Sequence, residues 1–293
     1  MAGYRKILLP LDGSRLAERA LIPALTLAQA LQAQVVVLRV VPSPEMLVNA
    51  EMLNAVRQTA QGYLETVCQQ YDIPPDALQV WLRQGSPAQT ILQVAQDEAV
   101  DLIVMSSHGR SGVGRWVYGS VAEQVLRGGV CDTLIIRAQA ALPELRGGKF
   151  LLTLDGSSLA EQALEPAVAL AEALSAELSL LRVTFSISHL EPQFYQRIFH
   201  HIEIEERRLG QEYLNQIRDR YADRPVALRA EALIGDAAAG IVDYAREHAV
   251  ALIILASHGR SGVQRWLYGS TAEKVLHTLA CATLVVHGRD ERS

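Results

Sequence analysis

The sequence holds only three cysteines, Cys68, Cys131 and Cys281, set far apart and without a Cys-x-x-Cys pair. An odd, scattered set indicates neither a thiolate zinc site nor a disulfide framework, which suits a reducing compartment. Long apolar runs are lacking too. None approaches the roughly 18 residues a membrane span needs, and the opening MAGYRKILLPLDG has no extended apolar core of a signal peptide. An excess of basic charge is also missing: the formal net charge is -5, which argues against a nucleic-acid surface. What is present is the balance of a packed globular protein, 49% hydrophobic and 20% charged residues. The expectation is a cytoplasmic protein that meets small ligands or other proteins, with no nucleic acid and no membrane. Its 293 residues leave room for one large or two ordinary domains.

An internal repeat decides for two. KILLPLDGS (Lys6–Ser14) returns as KFLLTLDGS (Lys149–Ser157), and SHGRSGVGRWVYGSVAEQVL (Ser107–Leu126) returns as SHGRSGVQRWLYGSTAEKVL (Ser257–Leu276). Asp12 and Asp155 are 143 residues apart, and Gly109 and Gly259 are 150 apart. The second half therefore gains about seven residues, and the landmarks place them between Val183 and Gly235. The expected domains are 1–140 and 147–293.

Each half alternates strand and helix. In the first, Ile7–Leu11 is an apolar run ending in Asp-Gly, a buried strand and then a turn. Leu16 to Ala28 carries apolar residues at helical spacing. Val35–Val41 is a β-branched strand, about Ala50–Tyr71 a long helix, and Leu78–Arg83 a strand. Pro87–Asp97 begins a helix, Asp101–Ser106 is a buried strand, a helix opens at Ser120, and Thr133–Arg137 is the last strand. Buried strands alternating with helices imply an α/β fold, a parallel sheet covered on both faces.

Ligands of such sheets bind outside the carboxyl ends of the strands, where strand order reverses. The stretch from Ser106 to Ser120 follows such an end. Gly109, Gly112 and Gly119 permit positive φ and close backbone approach. Ser120 with Glu123, like Ser270 with Glu273, reads as a capping box at a helix start. The first turn of that helix is a ready phosphate seat, to which Arg110 and Arg115, like Arg260 and Arg265, can add charge. A turn and a cap would need the same residues without any ligand. The P-loop pattern fails, because Gly109-x4-Gly114 is followed by Arg115-Trp116. The dinucleotide fingerprint fails as well, since LDGSRLAE after the first strand has no glycine triplet.

KILLPLDGS at each domain start, Gly85-Ser86-Pro87, and SHGRSG…YGS before the last helix together resemble the universal stress protein family, UspA type, across both halves. The resemblance implies two repeated domains, each an open five-stranded parallel sheet in order 3-2-1-4-5, Rossmann-like, with helices on both faces. It implies an ATP-binding protein with a regulatory or stress-resistance role, with no enzymatic activity beyond slow ATP hydrolysis expected; the nucleotide, with Mg2+, is expected between the end of strand 1 and the loop after strand 4. Mapped onto this chain, the first site comprises Pro10, Asp12, Gly13, Ser14, Val40, Ser106, His108, Gly109, Arg110, Gly112, Gly119, Ser120 and Val121. The second comprises Asp155, Gly156, Ser157, Val183, Ala256, His258, Gly259, Arg260, Gly262, Gly269, Ser270 and Thr271. ATP-binding members carry G-x2-G-x9-G-[S/T]. Here Ser106 and Ala256 replace the first glycine, and that departure favours the alternative, a scaffold that binds no nucleotide. Asp12 and Asp155 either face the nucleoside or only form a turn. Val40 and Val183 either present backbone to adenine or are plain strand core. The family's domains pair, which one chain can achieve internally; a homodimer of chains and unknown protein partners are left open. His201 and Glu205, with His200 and Glu203, have a spacing some metal ligands use, but a solvated helix face explains them, and no metal is expected. Trp116 and Trp266 read as packing anchors, and the cysteines as inert core.

Overall fold

The computed structural model describes residues 3–42, 50–71, 78–108, 119–138, 140–185, 196–257, 270–278 and 281–288. The chain divides into two compact units, one Gly3–Pro143 and the other carrying Glu144–Ser293.

The first unit runs β1 (Lys6–Pro10), α1 (Arg15–Glu18), α2 (Leu21–Leu31), β2 (Gln34–Val41), α3 (Ala50–Gln70), β3 (Leu78–Gln84), α4 (Pro87–Asp97), β4 (Leu102–Ser106), α5 (Ser120–Gly128) and β5 (Asp132–Ile136). Its strands lie in the order β3-β2-β1-β4-β5, and every pairing is parallel. Val35, Val36, Val37 and Leu38 are all buried in succession. A run of strand buried on both faces needs cover on both, which the crossover helices supply. This is the doubly wound, Rossmann-like arrangement.

The second unit repeats it. The elements are β6 (Lys149–Thr153), α6 (Ser158–Glu161), α7 (Leu164–Ala173), β7 (Glu177–Thr184), α8 (Gln196–Arg220), β8 (Ala227–Ile234), α9 (Ala237–Glu247), β9 (Leu252–Ala256), α10 (Ser270–Thr278) and β10 (Ala282–Val286). The order is β8-β7-β6-β9-β10, again parallel throughout.

The helix expected over Leu16 to Ala28 is two helices. The amides of Arg19 and Ala20 close it by donating three residues back, to Leu16 O and Ala17 O at 3.4 and 3.1 Å, and α2 then starts at Leu21. Pro23 is the cause. In an unbroken helix it would forfeit a hydrogen bond and clash with the carbonyl four residues back. In the first turn of a new helix it does neither. Pro166 imposes the same break between α6 and α7.

The amino ends of the strands differ between the units. Asp101 Oδ2 accepts from the amides of Arg5 and Lys6, at 2.8 and 2.9 Å, pinning β4 to β1. Its counterpart Ala251 keeps only the backbone bond to Lys149 O, 2.8 Å.

Candidate functional site

β1 lies between β2 and β4, so the strand order reverses beside it. At the carboxyl ends of these strands the first unit opens a crevice of about 1110 Å³. Nine of the expected residues line it: Pro10, Asp12, Gly13, Val40, Ser106, His108, Gly119, Ser120 and Val121. Gly109, Arg110 and Gly112 lie outside the described residues.

The turn after β1 is built on Gly13, whose φ of 84° favours glycine. Asp12 Oδ1 accepts from the Ser14 amide at 2.9 Å and the Ser14 hydroxyl at 2.6 Å. Ser14 Oγ in turn accepts from the Ala17 amide at 3.2 Å, capping α1. Ser14 is thus a cap and does not line the crevice, while Asp12 both forms the turn and faces the cavity. Asp155 and Ser157 repeat the turn and cap at 2.9 and 3.1 Å, with Gly156 at φ 84°.

The segment after β4 is fastened at both ends. The Ser107 amide donates to Ile136 O at 2.8 Å, and Ser107 Oγ accepts from the Ala138 amide at 3.1 Å and lies 3.1 Å from His108 Nδ1. The Gly119 amide donates to Ser107 O at 2.7 Å. Gly119 is itself the N-cap of α5, at φ -67° and ψ 152°, with no side-chain cap bond. Two expectations are corrected here. Gly119 does not use a positive φ, and Ser120 is the first helical residue, so Ser120 and Glu123 form no capping box. Glu123 instead pairs with Arg127 one turn on, at 2.8 Å. The amides of Ser120, Val121 and Ala122 are those an α-helix leaves without an internal acceptor, and all three residues line the crevice. Ser106, at the end of β4, is only 6% exposed, and its Oγ has no hydrogen-bond partner among the described residues.

In the second unit, Val183 lies on β7, Ala256 ends β9, and Ser270 begins α10, with Thr271 next. Ser270, expected as a cap, is the first residue of α10. His258, Gly259, Arg260, Gly262 and Gly269 lie outside the described residues. So do Arg115, Arg265, Trp116 and Trp266. Glu205 bonds Arg208, and among the described residues no group of three or more His, Cys, Asp or Glu is placed to hold a metal ion.

The sequence reading missed a buried layer that reaches the crevice, where Arg39 and Tyr63 line the wall. Arg39 is buried; its Nη1 donates to Leu11 O at 3.2 Å, and its guanidinium lies 5.9 Å from the Tyr63 ring centroid. Tyr63 donates to Glu18 Oε1 at 3.0 Å. Burial first, then the Glu18 carboxylate, raises the pKa of the Tyr63 hydroxyl well above the ordinary phenol value. The second unit repeats this with Arg182 at 5.3 Å from Tyr213, and Tyr213 bonded to Glu161 at 2.9 Å. Arg39 and Arg182 keep the 143-residue offset, while Tyr63 and Tyr213 have the 150-residue one. The insertion therefore falls between Arg182 and Tyr213, and part of it lengthens α8 to 25 residues against 21 in α3.

Comparison with known proteins agrees with the geometry. The profile of the universal stress protein family matches residues 3–137 and again 148–287. Universal stress protein YxiE of Bacillus subtilis is 31% identical over 144 residues, 47% of this chain and 97% of the relative. Universal stress protein Rv2005c of Mycobacterium tuberculosis is 27% identical over 203 residues, 69% of this chain and 66% of that protein. The crystal structure of a universal stress protein from Archaeoglobus fulgidus superposes with a TM-score of 0.74 at 19% identity, covering 99% of this chain and 98% of that one, and shares the fold. Two matches to one profile, on a sheet order and a turn that both repeat, establish that the chain belongs to the universal stress protein family, with one family domain in each half.

Proposed function

We propose that this protein is a nucleotide-responsive regulator that binds ATP with Mg2+ in the crevice of its first domain, and in the equivalent place of its second. The observation that carries this is the crevice itself. At the point where strand order reverses it brings together a carboxylate (Asp12), three helix-start amides (Ser120, Val121, Ala122) and an unpartnered buried hydroxyl (Ser106). The residues fit the group. Helix-start amides suit phosphate oxygens, Val40 and Val41 offer an apolar wall to a base, and Asp12 is the crevice carboxylate suited to a hard cation. In the second domain Asp155, Gly156 and Ser157 supply the same turn.

Regulation requires that nucleotide bind one state of the protein better than another, and that state would address a protein partner in the cytoplasm. Ser107 Oγ, 3.1 Å from His108 Nδ1, also accepts from the Ala138 amide, which ties it to the chain after β5, and turnover would be slow at most. The scaffold reading has one observation in its favour: Asp12 and Ser14 already satisfy each other and cap α1, as a purely structural turn would.

The deciding experiment is release and titration. Protein purified without added nucleotide is denatured, and what it releases is identified and counted by chromatography and mass spectrometry. ATP or ADP at a fixed ratio supports the proposal, near two per chain for both domains and near one for a single competent site. Nothing released, and no heat on titration with Mg-ATP, leaves the scaffold.

A further inference from the structure

The fourth strands of the two domains end alike, save for one hydroxyl. Leu8 pairs with Ile103 in the first unit and Leu151 with Ile253 in the second, so β4 and β9 stand in the same register against β1 and β6. Ser106 pairs with Ile136, and Ala256 with Val286. The amides that follow repeat as well: Ser107 donates to Ile136 O at 2.8 Å and Ser257 to Val286 O at 2.9 Å. Ala256 therefore stands where Ser106 does, without its Oγ.

Ser106 lines the crevice and is 6% exposed, and its Oγ has no hydrogen-bond partner among the described residues. Folding takes such a hydroxyl out of water and gives it nothing in return, a cost that alanine at the same place avoids. Its position says which part of a ligand could supply the missing acceptor. β1 lies between β2 and β4. Neighbouring strands are about 4.8 Å apart, so Ser106 lies roughly 10 Å across the sheet from the Val40 and Val41 wall. It lies beside the start of α5 instead, because the Gly119 amide is bonded to the carbonyl of the adjacent Ser107 at 2.7 Å. The acceptor suited to that place is the one that helix-start amides attract, an anionic oxygen.

We infer that Ser106 is a specificity-determining residue of the first site. Its hydroxyl donates to a phosphate oxygen of the bound nucleotide, and the two domains are in consequence unequal sites, the first tighter and more dependent on phosphate than the second. This rests on the nucleotide reading above; what it adds rests on the Ser106 hydroxyl and its absence at Ala256.

The test uses the full chain with Mg2+ and 2-azido-ATP. Photolabelled peptides, sorted by domain in a mass spectrometer, give a separate half-saturation concentration for each site, and ATP and adenosine serve as competitors. In the unaltered chain the first domain should half-saturate about tenfold below the second, the worth of a hydrogen bond to a charged group. Ser106→Ala should bring the first domain level with the second, and Ala256→Ser should tighten the second by a similar factor. Adenosine should compete as well in the Ser106→Ala chain as in the unaltered one. Thermal melts without nucleotide give a second readout: Ser106→Ala should hold or raise Tm, since it removes an unsatisfied polar group. A fall in Tm would reveal a protein partner for the hydroxyl and overturn the inference. Equal half-saturation of the two domains, the reverse order, or a Ser106→Ala chain that takes ATP as before would overturn it too, each leaving the nucleotide reading in place. An equal loss for adenosine and ATP overturns the placement on phosphate. If ATP displaces the label from neither domain, the nucleotide reading itself falls, and this inference with it.

Discussion

The Tyr63 hydroxyl lies 3.0 Å from Glu18 Oε1 and ties α3 to the short helix that follows the Asp12 turn. Tyr213 and Glu161 repeat the tie at 2.9 Å. Each is a half-buried hydrogen bond to a carboxylate. Tyr63→Phe should therefore cost about 1 kcal/mol, a fall of roughly 2–4 °C in Tm for a domain of this size. Tyr213→Phe should do the same. Thermal melts of the two single variants check this.

The same pair sets a pH dependence. Both hydroxyls have pKa values raised above the ordinary value, by burial first and by the neighbouring glutamate second. The folded chain keeps these protons where the unfolded chain gives them up. The stabilisation is thus complete below the unfolded phenol pKa of about 10 and is lost as pH rises beyond it. Urea midpoints should fall above pH 10. The fall should be shallower in the Tyr63→Phe, Tyr213→Phe double variant, and an unchanged slope would refute the linkage.

Gly119 offers a way to separate ligand from scaffold. Its φ of -67° is open to any residue, and an added Cβ would meet Ser107 O at 3.4 Å and His108 Cα at 3.6 Å, ordinary contacts. Gly119→Ala should leave Tm within about 4 °C, since exchanging this cap costs only tenths of a kcal/mol to about 1. It should nevertheless weaken Mg-ATP by about tenfold, because the methyl group stands beside the helix-start amides where close approach matters. Titration of both proteins under one set of conditions decides it.

Ala99 and Ala249 occupy left-handed backbone, at φ 49° and 52°, just past α4 and α9. An alanine there bears a steric cost that glycine avoids, partly offset by glycine's freer unfolded chain. Ala99→Gly and Ala249→Gly should each stabilise by about 0.5 kcal/mol, read as a small rise in urea midpoint.

Cys131 precedes β5, and its thiol pKa is pushed up to about 12, by burial first and then by the Asp132 and Asp101 carboxylates. The thiolate is the reactive form. Iodoacetamide at pH 8 should label Cys131 at least ~100 times more slowly in the folded protein than in urea. Peptide mapping by mass spectrometry reads the difference.

Much of the architecture was legible in the sequence because it rests on local pattern. Buried runs such as Ile7–Leu9, and Asp-Gly turns that return at a fixed offset, announce parallel strands twice over. The misreadings have local causes as well. Pro23 and Pro166 mark helix breaks that apolar spacing alone runs across. The Ser120-x-x-Glu123 pattern imitates a capping box, but Ser107 O draws Gly119 into the cap position and moves Ser120 inside the helix. The layer of Glu18, Arg39 and Tyr63 was illegible for another reason. Its members meet from three separate elements, and no periodicity connects them; only their recurrence in the second half could have pointed to them.

The bond from the Gly119 amide to Ser107 O closes a segment of chain upon itself. Bringing the ends of a flexible segment together carries an entropic cost that grows with the logarithm of its length. Here that cost is already met by the folded domain, at a contact of 2.7 Å. The closure thus acts as pre-organisation, since Ser107 and the start of α5 are already held together before any ligand arrives.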